Sequence, residues 1–160
     1  MASDGVDRHA ASQHDANRTN YTFKAVKTTA LTDCATNAIL DIHCSMKQPH
    51  DTQVGWQVLT RNIEYLSTVV ADKGYDWDDL WRKLRENDVR PVIKHREFTS
   101  LDAAHNARIN DETYHIRSNA ESTFFALRRR FGGTLRARTW FGQFRELVLK
   151  AAVRNVEQSL

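Results

Sequence analysis

The segment STVVADKGYD spans residues 67–76 and joins a short apolar run to a polar turn. The β-branched run Thr68–Ala71 has the length and composition of a buried strand, and it stops at Asp72. A stripe at helical spacing follows, formed by Trp77, Leu80, Trp81 and Leu84. Residues 90–94 are again apolar and predict a second buried strand. Strand, helix and strand in this order predict parallel pairing with a right-handed crossover, and hence an α/β fold.

The residues before this unit predict an antiparallel pair of strands and one helix. Residues 22–31 and 38–46 are rich in β-branched and apolar residues, and the turn-like residues 32–37 join them. Pro49 ends the second strand, and His50–Thr52 offers an N-cap for a helix that continues to Leu66. Residues 1–20 are polar and have no sustained period, which predicts a loop or a frayed end.

The residues after residue 76 complete the predicted architecture. Asp76 is expected to cap the helix at residues 77–87, and residues 98–112 are expected to form a polar surface loop. Two further helices are predicted at residues 119–131, ended by the glycine pair 132–133, and at residues 141–158. The expected fold is a single domain over residues 1–160, with one mixed sheet flanked by helices.

Composition bounds the class of protein. The chain has 160 residues, of which 41% are hydrophobic and 27% are charged, so it should form one globular domain rather than a disordered or collagen-like chain. Because no apolar run approaches the roughly 18 residues of a membrane span, and no signal peptide opens the chain, we expect a cytoplasmic protein without a membrane partner. Cys34 and Cys44 are expected to be buried or half-buried thiols.

Positive charge is concentrated near the C-terminus. Residues 112–154 contain nine Lys or Arg against three Glu, whereas the whole chain has a net charge of only +3. Guanidinium groups bind phosphate oxygens in a bidentate manner, so nucleic acid is the favoured partner. On charge alone, a solvated helix face explains the pattern equally well.

Two acidic residues are candidates for chemistry. Asp72 follows a strand, at the edge where open α/β sheets place their active groups, although it could also simply cap the turn. Glu121 is a lone acid among arginines, which by itself is typical of a surface ion pair. Tyr114, Arg117, Glu121 and Arg128 would share one helical face if their helix starts early enough.

These four residues resemble the Y-R-E-K signature of insertion-sequence transposases of the D-D-E type, including the small transposases of halophilic archaea. Residues 71–76 are similar to the second-aspartate motif of that family, and His50–Asp51 resembles the turn before its connecting helix. The likeness covers nearly all of the chain and implies a catalytic domain with a ribonuclease-H-like fold. Arg128 stands where the family has Lys, so a planar guanidinium replaces a compact ammonium group.

The resemblance implies cleavage and strand transfer of DNA with two Mg²⁺ or Mn²⁺ ions. Asp72 and Glu121 would be catalytic metal ligands, and Tyr114, Arg117 and Arg128 would position the backbone of the transposon end. Four more arginines would add salt-sensitive affinity for DNA, namely Arg129, Arg130, Arg136 and Arg138. The implied partners are transposon-end DNA, target DNA and further copies of the chain.

The first aspartate of the family has no direct counterpart. Its expected place falls on Ala2, and the nearest acid is Asp4, on the same strand face but about 6–7 Å further along. By the same resemblance, we expect the N-terminal DNA-binding region of typical members to be missing. We therefore expect a truncated copy with an incomplete first strand and impaired catalysis, in which Asp4 is the candidate third catalytic acid. The alternatives are a stand-alone nuclease of the same fold and a non-catalytic DNA-binding or dimerising remnant.

Overall fold

The computed structural model describes residues 2–8, 25–46 and 49–160, with backbone only for residues 2–8 and 25. The described strands are β1 (Ala2–Arg8), β2 (Ala25–Thr32), β3 (Ile39–Ser45), β4 (Thr68–Ala71), β5 (Arg90–Ile93) and β6 (Thr134–Leu135). The described helices are α1 (Asp51–Asn62), α2 (Asp78–Glu86), α3 (Ser100–Arg108), α4 (Asp111–His115), α5 (Ser118–Phe131) and α6 (Trp140–Ser159). Two 3₁₀ turns lie at Ile63–Tyr65 and Lys73–Tyr75.

The strands form two sheets within the described residues. One has the order β3-β2-β1-β6, in which β1 and β3 run antiparallel to β2 and β6 runs parallel to β1. The other consists of β4 and β5, which are parallel as predicted. The mixed sheet flanked by helices that the sequence predicts is present, but β4 and β5 form a separate parallel pair instead of joining it. The mixed α/β architecture agrees with a ribonuclease-H-like domain.

Helices cover both faces of the larger sheet. Neighbouring residues of a strand point to opposite faces, and β2 shows this directly. Ala30 packs in a cluster with Phe124 of α5 and Ala151 of α6. Leu31 packs on the other side, in the main core cluster that α1, β4 and α2 build. The sheet therefore lies between two helical layers, and the chain buries a core on each side of it.

Two predicted segments are corrected by the structure. Residues 2–8 form β1 instead of a loop, because β2 and β6 pair with the backbone; residues 9–20 lie outside the described part. Residues 98–112 contain α3 and α4 instead of a surface loop. Thr99 and Asp102 form a capping box at the start of α3, and Asn110 caps α4.

Asp76 does not cap α2. One of its carboxylate oxygens, Oδ2, accepts a hydrogen bond from the backbone N–H of Arg96 at 2.8 Å. The other, Oδ1, lies 2.6 Å from Nδ1 of His95. Trp77 occupies the N-cap position without a side-chain hydrogen bond. Asp76 therefore ties the turn after β4 to the segment after β5.

The side chain of Asn155 on α6 contacts the start of β3. Its amide nitrogen donates to the carbonyl of Ile39, and its amide oxygen accepts from the N–H of Ile39, both at 2.9 Å. Arg154 donates to the carbonyl of Asn37 at 2.7 Å. These bonds fix the last helix against the edge strand.

Within the described part of the chain, no helix is both long enough and apolar enough to cross a membrane.

Candidate active site

Asp72 directly follows the last residue of β4, as the sequence predicts. Its Oδ1 accepts a hydrogen bond from the backbone N–H of Gly74 at 2.7 Å and caps the 3₁₀ turn. A Cβ atom at Gly74 would lie 2.8 Å from that oxygen, so a larger residue here would push the carboxylate of Asp72 out of its capping position. Asp72 therefore does cap its turn, and it does so at the carboxyl end of a parallel strand.

An open pocket of about 580 Å³ lies beside Asp72. Because β4 and β5 are parallel, their carboxyl ends meet at one edge, and Lys94 after β5 lines the pocket together with Asp72. Tyr114 and Arg117 line the same pocket from α4 and from the junction before α5. The structure thus brings three of the predicted site residues together: Asp72, Tyr114 and Arg117.

The buried ring of Tyr114 contacts two cationic side chains. Its ring belongs to a cluster with Val70 and Val92, and the residue is only 9% exposed. Nζ of Lys94 lies 4.6 Å from the ring centroid, and Cζ of Arg117 lies 5.3 Å from it. Both distances are within the range of cation–π attraction. The ring therefore contacts two positively charged side chains that line the same pocket.

The motif residues do not share one continuous helix. Tyr114 lies on α4, which ends at His115, and Arg117 is the residue before the first turn of α5. Glu121 lies in that first turn, and its Oε1 accepts a hydrogen bond from Nη1 of Arg117 at 2.8 Å. The helix is interrupted between His115 and Ser118, and Tyr114 lines the pocket from the first of the two helices. The four-residue spacing from Arg117 to Glu121 keeps those two side chains in contact.

Each cation that lines the pocket is paired with a carboxylate. The pairs are Lys73–Glu97 at 2.9 Å, Lys94–Asp111 at 2.8 Å and Arg117–Glu121 at 2.8 Å. The hydrogen bond from Lys73 lowers the pKa of Glu97, and the hydrogen bond from Lys94 lowers the pKa of Asp111. All three carboxylates are exposed, so an incoming anion can reach and displace them.

A polar network holds the segment after β5. Asn106 of α3 is buried, and its amide accepts from the N–H of His95 at 2.7 Å and donates to its carbonyl at 3.0 Å. Nε of Arg96 donates to the carbonyl of Lys73 at 3.2 Å. Together with Asp76, these bonds fix the ends of β4 and β5 relative to each other, and with them Asp72 and Lys94.

The donor chemistry of the predicted metal ligands suits Mg²⁺ or Mn²⁺, because carboxylate oxygens are hard ligands. However, the described residues contain no group of three or more His, Cys, Asp or Glu side chains arranged to hold a metal ion. Asp4 lies in β1 opposite Thr28, and its side chain is outside what the structure describes. The described residues alone therefore do not fit a complete two-ion site, and we derive no reaction step through one.

The other predicted DNA-binding arginines lie away from this pocket. A helix rises about 1.5 Å per residue, so Arg128 is roughly 16 Å along α5 from Arg117. Arg129 and Arg138 are exposed, and Arg130 forms an ion pair with Glu157 of α6 at 2.7 Å. The backbone N–H of Arg136 donates to Glu146 at 2.9 Å. These residues could contact DNA only along a path that extends beyond the pocket.

Sequence reasoning missed Lys94 and Asp111. The signal for Lys94 was present, because it ends the predicted strand next to the one that delivers Asp72. Asp111 carried no comparable signal, since residues 98–112 were expected to be a loop.

Comparison with known proteins agrees with the resemblance seen in the sequence. No curated protein and no solved structure matches the chain. Residues 3–156 match the family model described as "Transposase DDE domain". Because this match spans nearly the whole chain, the protein belongs to the family of transposase DDE domains.

Proposed function

We propose that the chain cleaves and joins DNA at the ends of an insertion sequence, with Mg²⁺ or Mn²⁺ as cofactor. The observation that carries the proposal is the pocket in which Asp72 meets Tyr114 and Arg117. These residues come from separate parts of the sequence, and each has a place in the motifs of D-D-E transposases. The assignment to the Y-R-E-K group, and the likeness to halophilic archaeal members, are part of the same proposal.

The residues have distinct proposed roles. Asp72 and Glu121 would contribute carboxylate ligands to the metal ions, and Asp4 is the candidate third acid. Tyr114, Arg117 and Arg128 would position the DNA backbone at the transposon end. Further affinity would come from Arg129, Arg130, Arg136 and Arg138. With DNA as the substrate, the protein would act in the cytoplasm, and it would assemble as a homo-oligomer to hold two ends.

The second candidate function is a non-catalytic DNA-binding or dimerising protein. It is favoured by Ala2, which stands where the resemblance expects a metal-binding aspartate. Two divalent ions need several hard oxygen ligands, and the loss of a shared carboxylate would weaken the site. Such a chain would keep its affinity for DNA while its catalysis is impaired.

The test is cleavage of labelled duplex DNA that carries the repeats flanking the coding sequence, with duplex of scrambled sequence as reference. The reaction is run with Mg²⁺, with Mn²⁺ and with EDTA. We expect metal-dependent cleavage that Asp72→Ala and Glu121→Ala abolish and that Glu64→Ala, a change at an exposed acid elsewhere, leaves intact.

The outcomes separate the two candidates. DNA binding without cleavage in either metal would favour the non-catalytic function. Equal cleavage of scrambled DNA would indicate a stand-alone nuclease of the same fold. A chain that neither binds nor cleaves DNA would contradict both candidates.

A further inference from the structure

Lys94 is a cation beside Asp72 that none of the proposed roles uses. It is the first residue after β5, and its Nζ lies 2.8 Å from Oδ1 of Asp111. Its side chain is only 21% exposed, whereas the side chain of Asp111 is 74% exposed. Packing therefore fixes the stem of Lys94, while its partner sits at the surface and is held by little else than this ion pair.

Lys94 and Arg117 are placed as a pair by the ring of Tyr114. Their charged groups lie 4.6 Å and 5.3 Å from the centroid of that ring, which is itself buried. Both charged groups line the same pocket, and an ammonium and a guanidinium at one pocket suit a group with two anionic oxygens on one centre. A backbone phosphate of DNA has this chemistry, and phosphate contacts are what set the register of a protein on DNA.

We propose that Lys94 and Arg117 together bind one backbone phosphate of the DNA strand that passes Asp72, and that this phosphate displaces Asp111 from Lys94. The inference rests on the proposed function, because it takes DNA as the ligand. It adds Lys94 as a positioning residue for the strand and Asp111 as a carboxylate that competes with DNA.

The two residues of this ion pair should act in opposite directions on DNA affinity. Loss of the charge on Lys94 removes a phosphate contact, so affinity falls. Loss of the charge on Asp111 removes the competitor and leaves Lys94 unpaired before DNA arrives, so affinity rises. A residue that merely supported the fold would lower affinity in both cases or in neither.

The chain contains a matched control pair on α2. Nζ of Lys83 lies 2.8 Å from Oδ2 of Asp79, and it also sits over an aromatic ring, 5.1 Å from the centroid of Trp56. Neither Lys83 nor Asp79 lines the pocket beside Asp72. The same charge changes at this pair measure the effect of net charge alone.

The experiment is fluorescence anisotropy of a labelled 20-base-pair duplex, titrated at several salt concentrations in EDTA. The proteins are the full chain and its variants Lys94→Gln, Lys94→Arg, Asp111→Asn, Lys83→Gln and Asp79→Asn. Circular dichroism checks that each variant is folded.

We expect Lys94→Gln to lower affinity about five- to tenfold and to reduce the slope of log affinity against log salt by about one. Asp111→Asn should raise affinity about two- to fivefold, Lys94→Arg should retain most of it, and both control variants should stay within about twofold.

Two results would overturn the inference in distinguishable ways. If the unmodified chain binds DNA and Lys94→Gln changes the affinity no more than Lys83→Gln does, Lys94 does not contact DNA, although the proposed function stands. If the unmodified chain does not bind DNA at all, the proposed function fails and the phosphate site fails with it.

Discussion

The guanidinium of Arg117 lies 2.8 Å from the carboxylate of Glu121, so a proposed DNA contact and a proposed metal ligand bind each other. The same Glu121 oxygen cannot accept this hydrogen bond and coordinate a metal ion at full strength. Exposed ion pairs of this kind are worth only about 0.2–1 kcal/mol, so the pair can open when either ligand arrives. Metal binding at Glu121 would then release Arg117 for a phosphate.

The first prediction concerns this release. Glu121→Gln should raise affinity for DNA in EDTA by about two- to fivefold, because Arg117 is no longer neutralised. Anisotropy with labelled duplex measures the change. Glu86→Gln is the matched control, since Glu86 also pairs with an arginine four residues away, Arg82. An equal rise in the control would mean that net charge, and not the Arg117 pair, determines the affinity.

The elements with a strong apolar pattern were predictable from the sequence. The strand Thr68–Ala71 is confirmed at both ends, and the two last helices begin and end within one residue of their predicted bounds. In each case the burial of apolar side chains determines the structure, and buried positions appear in the sequence as apolar residues at regular spacing. The position of Asp72 at the carboxyl end of its strand followed from the same pattern.

The missed elements lack that pattern for physical reasons. In α3 the buried residue is the polar Asn106, while Leu101 is exposed, so no apolar stripe marks the helix. The sequence of β1 is polar and has no strand pattern, and the strand forms because its backbone pairs with β2 on one edge and with β6 on the other. The contact of Lys94 with Tyr114 did not follow from the sequence, because it requires α4 to pack beside the end of β5, and residues 98–112 show no helical pattern.

The second prediction tests the buried amide of Asn106. Asn106→Ala removes two hydrogen bonds to the backbone of His95, and the stranded N–H and carbonyl should cost about 1–3 kcal/mol in free energy of unfolding. Urea unfolding followed by circular dichroism measures the loss. Asn119→Ala is the control, because within the described residues its side chain donates only a long hydrogen bond of 3.5 Å to the carbonyl of Cys34, and it should change stability by less than about 0.5 kcal/mol. Similar losses in the two variants would show that Asn106 does not hold the segment after β5.

The third prediction concerns pH and His105. Burial, followed by the nearby charge of His95, lowers the pKa of His105 below its ordinary value of 6.5. The unfolded chain therefore takes up a proton that the folded chain resists. Stability should fall as the pH drops from 6.5 through the lowered pKa, and it should be unaffected by this group above pH 6.5.

Urea unfolding at about pH 7.5 and about pH 5.5 measures this dependence. His105→Gln should lose less stability over that interval than the unmodified chain, whereas His115→Gln, a change at an exposed position, should lose as much. Part of the dependence should remain in His105→Gln, because burial also lowers the pKa of His43. An identical pH dependence in all three proteins would rule out His105 as a contributor.

The fourth prediction separates the two cysteines. Burial raises the pKa of the Cys44 thiol to about 11, whereas Cys34 is exposed although its pKa is also raised. Since the thiolate is the reactive form, a thiol-specific chromogenic reagent should modify Cys34 first and Cys44 only after the chain is unfolded in urea. Mass spectrometry of the labelled peptides identifies the site. Rapid labelling of Cys44 in the native protein would show that the α6 side of the sheet opens readily.

Asn155 replaces a neighbouring strand at the start of β3, since its amide supplies one donor and one acceptor to the same residue, Ile39. An exposed strand edge is a template on which a second chain can add a strand and begin to aggregate. At Ile39 that template is already occupied by the protein's own helix. A second copy of the chain that approached this corner would therefore find the backbone groups of Ile39 already paired, which disfavours the addition of its strand there.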